Sequence, residues 1–104
     1  MGTLNYTVGR YARSRGGGAA SIMSTTLRTS DSFTTSAAAS YVEDGAGDIT
    51  VGVGEVIRLY ASEDAWVAFG GTVATVGGGH FLPSLTNMEF EVEDAGKVSV
   101  IDVA

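Results

Sequence analysis

The chain has 104 residues and a mass of 10.6 kDa, which allows one modest core and not two. A hydrophobic content of 44% excludes wholesale disorder, and the absence of Cys excludes disulfides, thiolate metal sites and Cys nucleophiles. The net charge of −6 is unevenly placed: residues 1–30 carry Arg10, Arg13, Arg15 and Arg28 and no acid, whereas residues 31–104 carry two bases against all twelve acids. A basic start on an acidic remainder argues against a nucleic-acid binder, because the folded part would repel a polyanion. It fits a segment that reaches an acidic surface, a neighbouring copy of the chain included. A solvated tail is the plain alternative.

Residues 1–24 are predicted as a flexible or partner-bound N-terminal arm. A short apolar patch (Leu4, Tyr6, Val8) precedes the Arg-rich run and Gly16-Gly17-Gly18, whose chain entropy suits a hinge or spacer. The domain proper is predicted over residues 25–104. Ser24 to Thr35 is rich in hydroxyl and β-branched residues and reads as one or two strands. Ala37-Ala38-Ala39 sits among Ser and Thr, which limits it to a single helical turn.

The remainder reads as strands. Ile49, Val51 and Val53 alternate with Thr50 and Gly52 after the Asp44–Asp48 turn. In Glu55–Ala61, Ile57, Leu59 and Ala61 share one face, and Ser62-Glu63-Asp64 turns the chain. Ala65, Val67 and Phe69 then face one way and Trp66 and Ala68 the other, so both faces are apolar. This predicts a central strand, or one whose second face meets a partner. Residues 70–79 form a small-residue loop, and Pro83 confines Phe81 and Leu82 to a short or edge strand. Met88, Phe90 and Val92 alternate with Glu89, Glu91 and Glu93, and Lys97–Val103 forms the last strand. Short strands at such spacing predict an all-β domain of β-sandwich or jelly-roll type with an extended N-terminal arm.

Residues 65–88 carry no Asp, Glu, Lys or Arg over the length of a membrane span, but their glycines, His80, Pro83 and Asn87 make them strands around a loop. No targeting segment is expected either. One His excludes two-His metal motifs, and no nucleophile motif accompanies it. His80 is predicted as a loop or strand-edge residue. Glu89, Glu91 and Glu93 on one strand face, or Asp44 and Asp48 about a turn, could offer oxygens to Ca²⁺; a solvated face and an ordinary turn are the alternatives. Gly52-Val53-Gly54-Glu55-Val56-Ile57 begins like a dinucleotide fingerprint, but Ile57 stands where the last Gly belongs and a strand follows. Trp66, Tyr60 and Phe69 could form an aromatic sugar platform, or pack in the core. No catalytic residue, metal site or cofactor is expected.

One further pattern runs from Gly54 to Val103. It is Gly54-Glu55-Val56-Ile57-Arg58-Leu59-Tyr60-Ala61, an acidic turn, and Ala65-Trp66-Val67-Ala68-Phe69-Gly70. After a small-residue loop come His80-Phe81-Leu82-Pro83-Ser84, Phe90-Glu91-Val92 and Gly96-Lys97-Val98-Ser99-Val100-Ile101. This half of the chain resembles the small accessory capsid proteins of tailed bacteriophages, the head decoration or cement type. The resemblance implies a structural protein with no enzymatic activity and no cofactor. It implies a place on the capsid exterior of the virion, assembled in the host cytoplasm, at contacts between subunits of the major capsid protein. It also implies self-association, a trimer among the options, and neither direct nucleic-acid nor membrane contact. Candidate interface residues are Arg10, Tyr11, Arg13 and Arg15 in the arm and Trp66, Phe81 and Leu82 in the domain. A glycan- or receptor-binding β-module of a head fibre or tail is the alternative.

Overall fold

The computed structural model describes residues 2–13, 19–44 and 47–103, with side chains described outside residues 11–26. The protein is all-β. Its strands are β1 (Thr3–Arg13), β2 (Ala19–Thr34), β3 (Ser40–Tyr41), β4 (Thr50–Val51), β5 (Val56–Ala61), β6 (Ala65–Ala68), β7 (His80–Leu82), β8 (Asn87–Glu91), β9 (Gly96–Lys97) and β10 (Ser99–Asp102). Ala37-Ala38-Ala39 makes no helical turn and is a bend. One antiparallel sheet has the order β2-β1-β5-β8, a second β3-β10-β6-β7, and β4 pairs with β9. With the β4–β9 pair set aside, the chain from β2 onward crosses between the two four-stranded sheets at β3, β5, β6, β8 and β10. That alternation is consistent with a jelly roll.

The two sheets share one core. Leu4, Tyr6 and Val8 of β1 and Ile57, Leu59 and Ala61 of β5 come from the first sheet. Ala65, Val67, Leu82 and Val100 come from the second, with Val42 and Val98 beside them. Each strand contributes alternate residues, as the period-two pattern requires. The predicted strand over residues 49–53 is shorter than expected. Only Thr50 and Val51 pair, and Val53 is 64% exposed. The Glu55 amide bonds back to the Gly52 carbonyl and turns the chain before Val53 can continue the ladder.

The largest correction concerns the N-terminus. Residues 3–9 are not an arm but an internal strand, with Leu4–Gly9 paired to Val56–Ala61 on one side and Thr3–Gly9 to β2 on the other. Leu4, Tyr6 and Val8 are at most 1% exposed. The physical reason is their alternation with Asn5 and Thr7. It aligns three large apolar side chains on the core face, while flanking strands satisfy the backbone on both edges. The Tyr6 hydroxyl keeps a partner by donating to the Glu43 carbonyl at 3.0 Å. Composition of the following Arg and Gly run had set the arm boundary at residue 24, and composition does not register this alternation.

β1 and β2 outlast their neighbour. The 11 residues of β1 span about 36 Å and the 6 of β5 about 20 Å at the usual strand rise. Beyond Gly9, β1 pairs only with β2, Tyr11 opposite Met23 and Arg13 opposite Ala19, across two register shifts. A two-stranded ribbon therefore continues past the end of β5, and the Cα envelope measures 46 × 25 × 24 Å. Gly16-Gly17-Gly18 and Arg15 lie outside the described residues.

Removal of residues 2–9 is expected to abolish the cooperative unfolding transition, because it deletes an internal strand. Leu4→Ala is expected to cost about 2–5 kcal/mol in urea unfolding with an unchanged m value.

Candidate interaction surfaces

The base of the ribbon is tied to the body by a buried carboxylate. Glu55, 6% exposed, accepts from Arg28 Nε on β2 at 2.6 Å and from the Gly52 amide at 2.8 Å. Arg28 also donates to the Thr50 carbonyl. Burial pushes the Glu55 carboxyl up, but the Arg28 hydrogen bond, the Gly52 amide and the charges of Arg28 and Arg10 together hold it below its ordinary value. Gly54 stands beside this site at φ +87°, and a Cβ there would come 3.1 Å from the Arg10 guanidinium. Arg10 is thus an exposed residue at the base of the ribbon. The side chains of Tyr11 and Arg13, and all of Arg15, lie outside the described residues.

The outer face of the second sheet carries an apolar strip. Ile101, Trp66 and Phe81 are lateral neighbours on β10, β6 and β7. The Trp66 and Phe81 rings lie 5.2 Å apart at 59°, and Phe81 is 41% exposed. Next to the strip, the loop of residues 70–79 folds over the same face. The Ala74 amide donates to Ser99 Oγ at 2.9 Å, and the Tyr41 hydroxyl donates to the Gly71 carbonyl at 2.9 Å. The second apolar face predicted for residues 65–69 is therefore divided. Ala68 is covered by the chain's own loop, and Trp66 reaches the surface. Gly79 permits the return into β7. At φ +85°, a Cβ there would stand 2.4 Å from the Val67 carbonyl oxygen.

Leu82 is a correction. It is 1% exposed and belongs to the core, because strand alternation turns it inward where Phe81 turns outward. It offers nothing to a partner.

A cleft opens where β7 and β8, the edge strands of the two sheets, come together. Its aromatic members are Phe69, His80 and Phe90. Centroids are 4.8 Å apart for His80 and Phe90, 5.2 Å for Phe69 and Phe90 and 5.7 Å for Phe69 and His80. Glu91, Val92, Glu93 and Asp94 complete the lining of a space of about 160 Å³. The three carboxylates are exposed, and among the described residues none of them joins an ion pair. His80 is a strand-edge residue as expected. The ring cluster has no signature in the sequence, because its members come from the end of β6, from β7 and from β8.

Other arrangements weighed from the sequence are not brought together. Glu89 is bonded by Arg58 at 2.8 Å, and Asp48 by Lys97 at 3.0 Å. Among the described residues no group of three or more His, Asp or Glu is placed to hold a metal ion. Trp66, Tyr60 and Phe69 form no common platform. Tyr60 alternates with Leu59 and faces out from the first sheet, Trp66 faces out from the second, and Phe69 lines the cleft. Gly52-Val53-Gly54 is a turn into β5 with its first amide on Glu55. Among the described residues no helix is long and apolar enough to cross a membrane. No family model, curated protein or solved structure matches the chain.

The Glu55 site sets a pH signature. A carboxyl whose folded pKa is lowered contributes stability above its unfolded value near 4.5 and loses it as pH falls through the folded value. Glu55→Gln is therefore expected to be less stable than the parent at pH 6, with the gap closing on acidification below that value. Urea unfolding across this range checks it. Arg28→Met is expected to cost about 1–2 kcal/mol at neutral pH, discounted because the Arg28 side chain is 45% exposed.

Proposed function

We propose that this protein is a capsid decoration or cement protein of a tailed bacteriophage. In this reading it binds the outside of the head at contacts between major capsid subunits and stabilises the shell. The observation that carries the reading is the β1–β2 ribbon, which continues past β5 and is fixed at its base by Arg28 and Glu55. A rigid acidic body bearing a basic strand pair suits a molecule that reaches across a neighbour. Extended backbone can add to a partner's sheet, and Arg forks its carboxylates. The Ile101–Trp66–Phe81 strip supplies apolar contact area beside the loop of residues 70–79, where Val73 and Val76 are also exposed. A ligand that binds only the assembled shell stabilises it by mass action, and repeated weak contacts on a symmetric surface act together. No cofactor enters this account.

The glycan-binding alternative asks for a flat aromatic platform. The 59° angle between Trp66 and Phe81 does not offer one, and suits packing against a protein surface better.

Co-sedimentation tests the reading. The protein is expected to pellet with assembled shells and not with free major capsid subunits. Tyr11 and Met23 face each other, so replacing residues 12–22 with Asn-Gly joins them by a two-residue turn and leaves the core strands intact. The shortened protein is expected to lose shell binding by about tenfold or more. Absence of parent protein from the shell pellet would refute the reading.

A further inference from the structure

We propose that the cleft between β7 and β8 is a recognition site for an arginine side chain carried on an extended segment of a partner protein. This assigns a ligand chemistry to the cleft itself and stands independently of the capsid reading.

The walls of the cleft set that chemistry. The centroids of Phe69, His80 and Phe90 lie 4.8 to 5.7 Å from one another, so the rings touch and leave no slot between them. A guest can lie against this wall but not inside it. Glu91, Glu93 and Asp94 line the same space. All three are exposed, and none joins an ion pair among the described residues.

These two features sort the possible ligands. Three carboxylates repel an anion. A neutral apolar group would cover the rings and leave the carboxylates unmatched. A metal ion needs oxygens that converge on one point, and among the described residues no group of three or more His, Asp or Glu is placed to hold one. A flat organic cation satisfies both features. The face of a guanidinium stacks on a ring while the N–H donors at its edge reach the carboxylates. An ammonium is a compact, strongly hydrated point charge and draws less from an aromatic wall.

The acidic rim is positioned before a ligand arrives. The Val92 amide donates to the Glu55 carbonyl at 2.8 Å, and the Gly54 amide donates to the Val92 carbonyl at 3.0 Å. These bonds fix the backbone between Glu91 and Glu93. Gly70, at φ +75°, packs so closely on Asp94 that a Cβ there would come 3.1 Å from the Asp94 Cβ. Little ordering is left to oppose binding.

The surroundings favour a ligand carried on a chain. β7 and β8 are the edge strands of their sheets. Asn87–Glu91 pairs with β5 on one side, and among the described residues no strand pairs with its other side. Extended backbone flanking an arginine can add to this edge while the side chain enters the cleft.

NMR titration of the full chain with a capped Gly-Arg-Gly peptide tests this. The shifts are expected in the ring resonances of Phe69, His80 and Phe90 and in the amides of residues 87–94, with affinity falling as salt rises. Citrulline in place of arginine keeps the shape without the charge and is expected to abolish binding. Lysine keeps the charge without the plane and is expected to bind about fivefold more weakly. Methylguanidinium has the head without the backbone and is also expected to bind more weakly than the peptide. The pair Glu93→Gln with Asp94→Asn is expected to weaken binding of the arginine peptide by about tenfold and to leave a cooperative unfolding transition. The peptide series uses the parent protein alone, so its result does not depend on a variant that folds. No shifts at the cleft at millimolar peptide would overturn the proposal. So would lysine or citrulline peptides that bind as well as arginine, or affinity untouched by the paired substitution. Methylguanidinium bound as tightly as the peptide would overturn the chain-borne ligand.

Discussion

The pairing of Leu4–Gly9 with Val56–Ala61 is the constraint on which the rest of the structure depends. It places β1 inside the first sheet and sends Leu4, Tyr6 and Val8 into the shared core. It also fixes β2 as an edge strand, whose ladder partner in the sheet is β1. Because β5 begins at Val56, the same pairing decides where the body ends and the ribbon starts. Arg28 and Glu55 lock that junction from the side. The ribbon is thus an extension of the core strands and not a separate tail, and its direction is set by the sheet.

The surface follows from how the two sheets finish. The first sheet ends at β8 and the second at β7, and between these edges the core rings Phe69 and Phe90 remain half-buried, with His80 against them. The loop of residues 70–79 closes half of the second sheet's outer face and leaves the Trp66–Phe81 strip beside it. Acidic turns then surround the body, and four of the six bases fall within the first 30 residues of the sequence. Such a molecule has separate places for a basic segment, an acidic pocket and an apolar contact.

Much of this was legible in the sequence. Period-two alternation located β5, β6 and β8, the glycine loop and Pro83 located the short β7, and the turn residues separated them. The all-β class follows from that pattern. What stayed hidden needed partners distant in sequence. Leu4, Tyr6 and Val8 carry the same alternation as Ile57 and Leu59, but the adjoining Arg and Gly residues led composition to class them as an arm. Leu82 and Phe81 are adjacent and equally apolar, and only the strand's place in the sheet sends one inward and the other out. The cleft joins residues 69, 80 and 90–94 through the meeting of two sheet edges, which no local pattern encodes.

Native-state amide hydrogen exchange on the full chain tests the central claim most directly. The amides of β1 that pair with β5 are expected to exchange only through global unfolding, with the same free energy and denaturant dependence as the slowest amides of β5 itself. Exchange of these β1 amides through small local openings, insensitive to denaturant, while β5 remains protected, would contradict the account and return residues 3–9 to the status of an arm.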